Sequence, residues 1–427
     1  MRVGVFVDDL RIQNINISQP EQGNPGVGGT PFCFAMLLRF MKMYYPEMEL
    51  YFYHGNRNVI WPAVNCEQYV SDVYSAARIA KRDNCDCFLF RFGVEGDDLY
   101  CLFDELKLKA IGWEHNFIDY SKLEQIKNHP YFVRNVFVGC AQYYRYIDHD
   151  AIKKCTVIEN MLFSEHIPNY KTVSNKNVIY AGQISELKGF SYFIKKWKEI
   201  IEKVPDAALY VMGNGKLYNR NSELGPLGLA DINYEKTFMD CITDENGKIL
   251  ESIHFLGVVG KEKNDYFGQS RVGVVNPVGS ETLCITALEM EASGLPVVSR
   301  RKNGTLYSID EGKTGLLFDT PDEMVESIVS LLNDDDRYIK HHANGPGFVK
   351  SNFSPELICS RWYDLFLSVC TNKDSWIEIK NNKSHKPIDK AITINRALRK
   401  VFKFLPPLCW YSYYLRKIRG YHDKRSM

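Results

Sequence analysis

Long hydrophobic runs are missing from this 427-residue chain. No stretch reaches the roughly 18 apolar residues that a membrane-spanning helix needs, so none is expected. An excess of one charge is missing too. Lys and Arg total 53 against 52 for Asp and Glu, which argues against nucleic acid as a partner of the whole chain. The twelve cysteines include no CxxC pair, and no His/Cys spacing suits zinc. No signal-peptide pattern precedes Met1-Arg2-Val3-Gly4-Val5-Phe6-Val7, which reads as a first strand. Unpaired cysteines without such a signal fit a reducing cytosol. The GxGxxG fingerprint is also absent after that strand, which makes a dinucleotide oxidoreductase a poor reading.

What is present is an ordinary folding composition, 45% hydrophobic and 25% charged. The chain is too long for one hydrophobic core, so two domains are expected. Charge is unevenly spread. From Lys390 to Met427 there are ten Lys or Arg and one acidic residue. A basic tail on an acidic body points to an anionic surface as partner.

Apolar runs alternate with stretches of helical period. Val3–Val7, Glu49–Tyr53, Asp86–Phe90, Lys109–Trp113, Val136–Cys140 and Thr156–Ile158 read as strands, with Pro31–Tyr45, Glu67–Arg82 and Asp97–Lys107 as helices. The polar stretch Ser164–Asn177 reads as a linker. The pattern restarts with strands Val178–Ala181, Ala208–Met212, His254–Leu256, Val272–Val275, Val297–Ser299 and Gly315–Phe318, and helices Phe190–Val204, Thr282–Ser293 and Asp322–Leu332. Alternation of this kind predicts an α/β fold of parallel sheets. Two doubly wound domains facing across a cleft are expected, over 1–165 and 176–353. A helix over 354–370 would close the second domain, followed by a linker over 371–389 and a basic amphipathic tail over 390–427.

Four stretches carry candidate chemistry. Gly28 and Gly29 precede the first helix, where backbone can approach a ligand closely and the helix start offers N–H groups. A flexible turn explains them equally simply. Lys188 follows a strand end and can meet a phosphate as a point charge; a solvated surface lysine is the commoner fate. Ser280 is a good N-cap, which places Glu281 and Thr282 in the first turn of a helix. Glu289 follows two turns later, roughly 12 Å along the axis, more than the roughly 5–9.5 Å between paired glycosidase carboxylates. Two carboxylates so spaced suit the two ends of one extended ligand. A first-turn acid interacting with the helix dipole explains Glu281 alone, but not Glu289.

Glu281 to Glu289, followed by Ala292-Ser293-Gly294-Leu295-Pro296-Val297-Val298, resembles the EX7E block of retaining GT-B glycosyltransferases of the large group-1 family. Further blocks stand in the family's order. They are Gly28-Gly29, Trp113-Glu114-His115-Asn116, Val157-Ile158-Glu159-Asn160, Ala181-Gly182-Gln183 through Lys188-Gly189, Val211-Met212-Gly213-Asn214-Gly215 and Phe255-Leu256-Gly257. The likeness covers about Met1 to Cys370. Gln183 stands where the family has an arginine, and Leu283-Cys284 replaces its Phe-Gly.

The resemblance implies a GT-B architecture and transfer of a sugar from a nucleotide-sugar donor, with retention at the anomeric carbon. It implies that Glu289 holds the ribose hydroxyls and Glu281 lies by the transferred sugar. Thr282, Leu283, Lys188, Gln183 and Gly213 would surround the donor diphosphate, with Gly28 and Gly29 as its first glycine loop. His115 would sit near the acceptor or the sugar, unless it is a satisfied structural histidine. No cofactor is expected. No metal is required, and no Asp-x-Asp stands where it would hold one. The family implies a glycan or lipid-linked acceptor, often in surface polysaccharide synthesis. The alternatives are an epimerase or phosphorylase of similar architecture, or a non-catalytic nucleotide-sugar-binding subunit.

In the tail, Ile394, Leu398, Val401, Phe402 and Leu405 repeat at helical spacing among Arg396, Arg399, Lys400 and Lys403. Pro406-Pro407 breaks the helix before Trp410 and three tyrosines. A basic amphipathic helix edged with aromatics fits the interface of an anionic membrane, hence a cytoplasmic protein peripheral at the inner face. The alternative is a helix packed on the acidic body.

Overall fold

Strands that are apolar on both faces need cover on both sides, and the chain supplies it by winding helices around two parallel sheets. The computed structural model describes residues 1–93, 95–215, 223–260, 262–373, 379–384 and 386–418. The chain divides into two compact units, Met1–Met161 with Pro355 onward, and Leu162–Ser354.

The first unit carries seven parallel strands. In spatial order they are Cys66–Tyr69, Glu49–His54, Arg2–Val7, Cys87–Arg91, Ala110–Glu114, Phe132–Phe137 and Cys155–Val157. Two of its elements differ from the sequence reading. The predicted helix Glu67–Arg82 begins as an edge strand, and the helix starts only at Val73, where Asp72 accepts the N–H of Ser75 at 2.7 Å. The predicted strand Val136–Cys140 stops at Phe137. There the Gln142 side chain accepts the N–H groups of Val138 and Gly139, and a helix begins at Cys140.

The helix Pro355–Thr371 belongs to this first unit and does not close the second. Its apolar face sets Trp362 against Trp113, with ring centroids 4.9 Å apart, and Tyr363 against Tyr45 at 4.2 Å. Arg361 reaches the buried Glu159 at 2.6 Å, and Lys380 reaches the same carboxylate at 3.0 Å. Further helices follow, Pro387–Val401 and Leu408–Ile418, both docked on this unit. Arg419 to Met427 lie outside the described residues. Among the described residues no helix is long and apolar enough to cross a membrane.

At the end of the strand Glu49–His54, the His54 ring lies between Asp9 at 2.8 Å and Glu67 at 2.7 Å. Asp9 also accepts from Trp61 and from the N–H groups of Gly55 and Asn56. Burial opposes the charge on His54, but hydrogen bonds to Asp9 and Glu67 outweigh it and hold the pKa above the ordinary 6.5. A raised histidine pKa stabilises the folded state fully below the unfolded value and loses that contribution as pH rises through the folded value. The expected result is that the thermal stability advantage of the native protein over His54→Gln shrinks as pH rises above about 6.5. Melting curves of both proteins from about pH 5.5 to 9 check this; an advantage constant with pH would show that His54 carries no folding-linked charge.

The second unit is a six-stranded parallel sheet in the order Ile253–Gly257, Ala208–Met212, Asn177–Ala181, Val272–Val274, Val297–Arg300 and Gly315–Phe318. Strand order reverses between Asn177–Ala181 and Val272–Val274, and open α/β sheets bind ligands outside the carboxyl ends at such a point. The predicted helix Phe190–Val204 is two, Phe190–Ile194 and Trp197–Lys203, because Lys196 turns its N–H to the carbonyl of Phe193.

Candidate functional site

The reversal point of the second sheet is where the chain's candidate charges meet. After the strand Asn177–Ala181, a single 3₁₀ turn Glu186–Lys188 ends at Gly189, whose φ is +74°. A Cβ on Gly189 would stand 2.6 Å from Val278. Glycine therefore permits both the left-handed turn and the close approach of the loop that follows Val272–Val274. Ser280 fastens the two loops by donating to the carbonyl of Leu187 at 2.8 Å, and Lys188 makes an ion pair with Glu281. Their side chains are 20% and 24% exposed.

The backbone around Glu281 is not helical, contrary to the sequence expectation. The helix runs Ile285–Ala292, and Cys284, not Ser280, precedes it. Asn276 adopts φ +41°, accepts the Ser280 N–H at 2.9 Å and donates to Glu281 at 3.2 Å. The Glu281 carbonyl takes the N–H of Gly304 at 2.9 Å, and Ser308 takes that of Cys284. These bonds, local from Asn276 and tertiary from Gly304 and Ser308, hold 279–284 as a loop, so Glu281 is not a first-turn acid. Thr282 and Leu283 are buried in that loop.

Glu289 lies on the helix proper and faces a different cation. Lys263 reaches its Oε1 at 2.6 Å, and the two side chains are 20% and 16% exposed. The two glutamates are therefore separate anionic positions, each with its own lysine.

Gly213 follows the strand Ala208–Met212 with φ +126°, and a Cβ there would stand 2.1 Å from the Gly182 carbonyl. No larger residue fits without moving backbone. Gln183 donates to the Gly215 carbonyl at 3.1 Å, so it braces this loop.

In the first unit, Gly28 and Gly29 open the helix Gly29–Tyr44. Asn24 shapes the turn before them by accepting the N–H groups of Gly26 and Val27. His115 follows the strand Ala110–Glu114. Its ring lies against Trp113, with centroids 4.8 Å apart, and both ring nitrogens are shielded from solvent. Burial, then the charge of Arg91, pushes its pKa down to about 3, so the imidazole is neutral. The neighbouring Glu114 is buried, and its carboxyl is held well above the usual range.

The structure thus brings Lys188 and Glu281 together, sets Gln183 beside the Gly213 turn, and puts Glu289 with Lys263. Sequence reasoning missed Lys263, Asn276 and Gly304. No spacing rule marks Lys263, and the positive φ of Asn276 has no signature beyond the tolerance of asparagine for that region.

Two parallel sheets, each wound with helices and ending in glycine turns, define the GT-B class of fold. Solved structures share it. Anabaena Alr3699/HepE in complex with UDP-glucose matches with a TM-score of 0.60 at 13% identity, over 86% of this chain and 100% of that one. A glycosyltransferase from Rickettsia africae matches with a TM-score of 0.66 at 13% identity, over 87% and 99%. Residues 175–334 match the family described as glycosyl transferases group 1. The D-inositol 3-phosphate glycosyltransferase of Corynebacterium urealyticum is 28% identical over 201 residues, 47% of this chain and 44% of that protein. An uncharacterized glycosyltransferase of Haemophilus influenzae is 24% identical over 196 residues, 44% of this chain and 48% of the other. The chain spans less than half the length of these curated relatives.

Proposed function

We propose that the protein is a retaining glycosyltransferase that moves a sugar from a nucleotide-sugar donor to a glycan or lipid-linked acceptor, in surface polysaccharide synthesis. The observation that carries this is the Lys188–Glu281 pair at the reversal point of a group 1 domain. In this reading the pair exchanges partners when donor binds. Lys188 turns to the diphosphate, and Glu281 is released to the hydroxyls of the sugar. Glu289 holds the ribose. Thr282 and Leu283, before the helix Ile285–Ala292, present backbone to the phosphates.

The bond from the anomeric carbon to the phosphate oxygen breaks, and a bond to the acceptor oxygen forms on the same face. A phosphate oxygen of the leaving group takes the acceptor's proton. Charge growing on the diphosphate meets Lys188 and the helix start, and preorganised groups of this kind are usually the largest single contribution to catalysis. This assigns no step to a metal. His115 enters as a neutral hydrogen-bonding group, not as an acid or base.

Labelled UDP-, GDP- and ADP-sugars incubated with and without a bacterial membrane-lipid extract test the reading. Label moving into lipid only when extract is present supports it. Donor converted without acceptor identifies an epimerase. Donor bound but never consumed identifies a binding subunit, the reading that Gln183 favours, since it is spent on the Gly215 carbonyl.

The finer reading of place is the inner face of a membrane. Asn395 and the N–H of Leu408 bind Asp148, Arg399 binds Asp150 and Ile392 is buried, so the tail is partly docked on its own unit. What points outward is a corner where Val401 is 74% and Phe404 82% exposed, beside the exposed Arg396, Lys400 and Lys403. Exposed apolar side chains among exposed cations of the same segment fit an anionic bilayer interface. Lys403→Gln is expected to weaken binding to acidic vesicles about 5-fold, with less loss as salt rises. Phe404→Ser is expected to weaken binding even at high salt. Co-sedimentation checks both, and equal sedimentation of the variants and the native protein would remove the membrane from this account.

A further inference from the structure

Lys263 opens the short helix Lys263–Gly268, six residues beyond the end of the strand Ile253–Gly257. Among the described residues, the hydrogen bond made to the Glu289 carboxylate is the one from Lys263, to Oε1 at 2.6 Å. His166 lies in the field of both. Burial, then the charge of Lys263, lowers its pKa, while Glu289 acts the other way. His166 therefore stays neutral at physiological pH and leaves the negative charge of Glu289 to Lys263.

A carboxylate that must meet a vicinal diol has to hold one orientation about its last torsion. That torsion is broad in glutamate. A charge-assisted bond at one oxygen narrows it and fixes where the other oxygen points. We infer that Lys263 is the positioning residue of the ribose site, holding the Glu289 carboxylate at Oε1 so that it meets both ribose hydroxyls of the donor nucleotide. This rests on the assignment of Glu289 to the ribose.

The alternative is an ion pair that serves folding alone, and discrimination between sugars separates the two. A thermal-shift screen of UDP, GDP, ADP and CDP selects the nucleotide that stabilises the native protein. Calorimetry then measures its Kd and that of its 2′,3′-dideoxy form against the native protein, Lys263→Met, Lys263→Arg and Glu289→Gln. Lys263→Met is expected to weaken the ribose form roughly 10-fold, the size of one hydrogen bond to a charged group, and to leave the dideoxy form nearly unchanged. Lys263→Arg, which keeps the cation, is expected to restore most of the difference. Equal weakening of both forms by Lys263→Met, or none, overturns the inference, and melting curves of each variant identify any that fail to fold. If Glu289→Gln also leaves the discrimination intact, or no nucleotide binds, the ribose assignment itself falls. If Glu289→Gln removes it and Lys263→Met does not, only the role of Lys263 falls.

Discussion

Lys188→Ala is expected to lower turnover at saturating donor by about 100- to 1,000-fold, the usual effect of removing one preorganised stabiliser of developing charge. The reason lies in which cation the two loops themselves carry. Gln183 stands where the family that the sequence resembles carries an arginine, and it is bonded to the Gly215 carbonyl. Lys188 is then the cation that the two stitched loops present, through Gly189 and the Ser280–Leu187 bond. Stability should change little. Partly exposed ion pairs contribute on the order of 0–1 kcal/mol, and Glu281 keeps its bond from Asn276 at 3.2 Å. Turnover with labelled donor, beside a melting curve, checks both halves. A variant with near-native turnover would show that another residue holds the diphosphate.

Glu289→Gln is expected to weaken binding of the matching nucleoside diphosphate about 10- to 150-fold, because hydrogen bonds to a charged group are worth roughly 1.5–3 kcal/mol. The amide keeps the shape of the carboxylate but loses its charge, and one of its two positions becomes a donor. It also ends the ion pair with Lys263, leaving that cation at 20% exposure without its anion. Part of the loss therefore comes from Lys263. Calorimetric titration measures the Kd, and an unchanged value would take the ribose away from Glu289.

Much of the fold was legible because strands buried on both faces leave a plain mark. Val3–Val7, Ala208–Met212 and Gly315–Phe318 are continuous apolar runs, and they fold as parallel strands. The errors fell where a local pattern was ambiguous. Glu67–Arg82 holds an edge strand before its helix because the alternation of Cys66–Tyr69 is short and half polar. The helix Pro355–Thr371 carried an apolar face in its sequence, but nothing in that face names its partner. Trp113, Tyr45 and Glu159 do, and all three are more than 190 positions away.

For the site, the sequence by itself determined which charges the second unit carries and that they follow strand ends, since Lys188-Gly189 and the Glu281–Glu289 spacing can be read from the residues. It also marked Gly213, where backbone meets backbone. Only the tertiary structure decided that Glu281 sits in a loop. Its capping signal was overruled by Asn276, at φ +41° four residues before Ser280, and by the tertiary bond from Gly304, which together hold the backbone out of a helix. Only the tertiary structure, too, assigned a cation to each glutamate. An ion pair across 93 positions, as for Lys188 and Glu281, or 26, as for Lys263 and Glu289, depends on which strands lie side by side. That is set by burial of the whole sheet, to which no short stretch of sequence gives access.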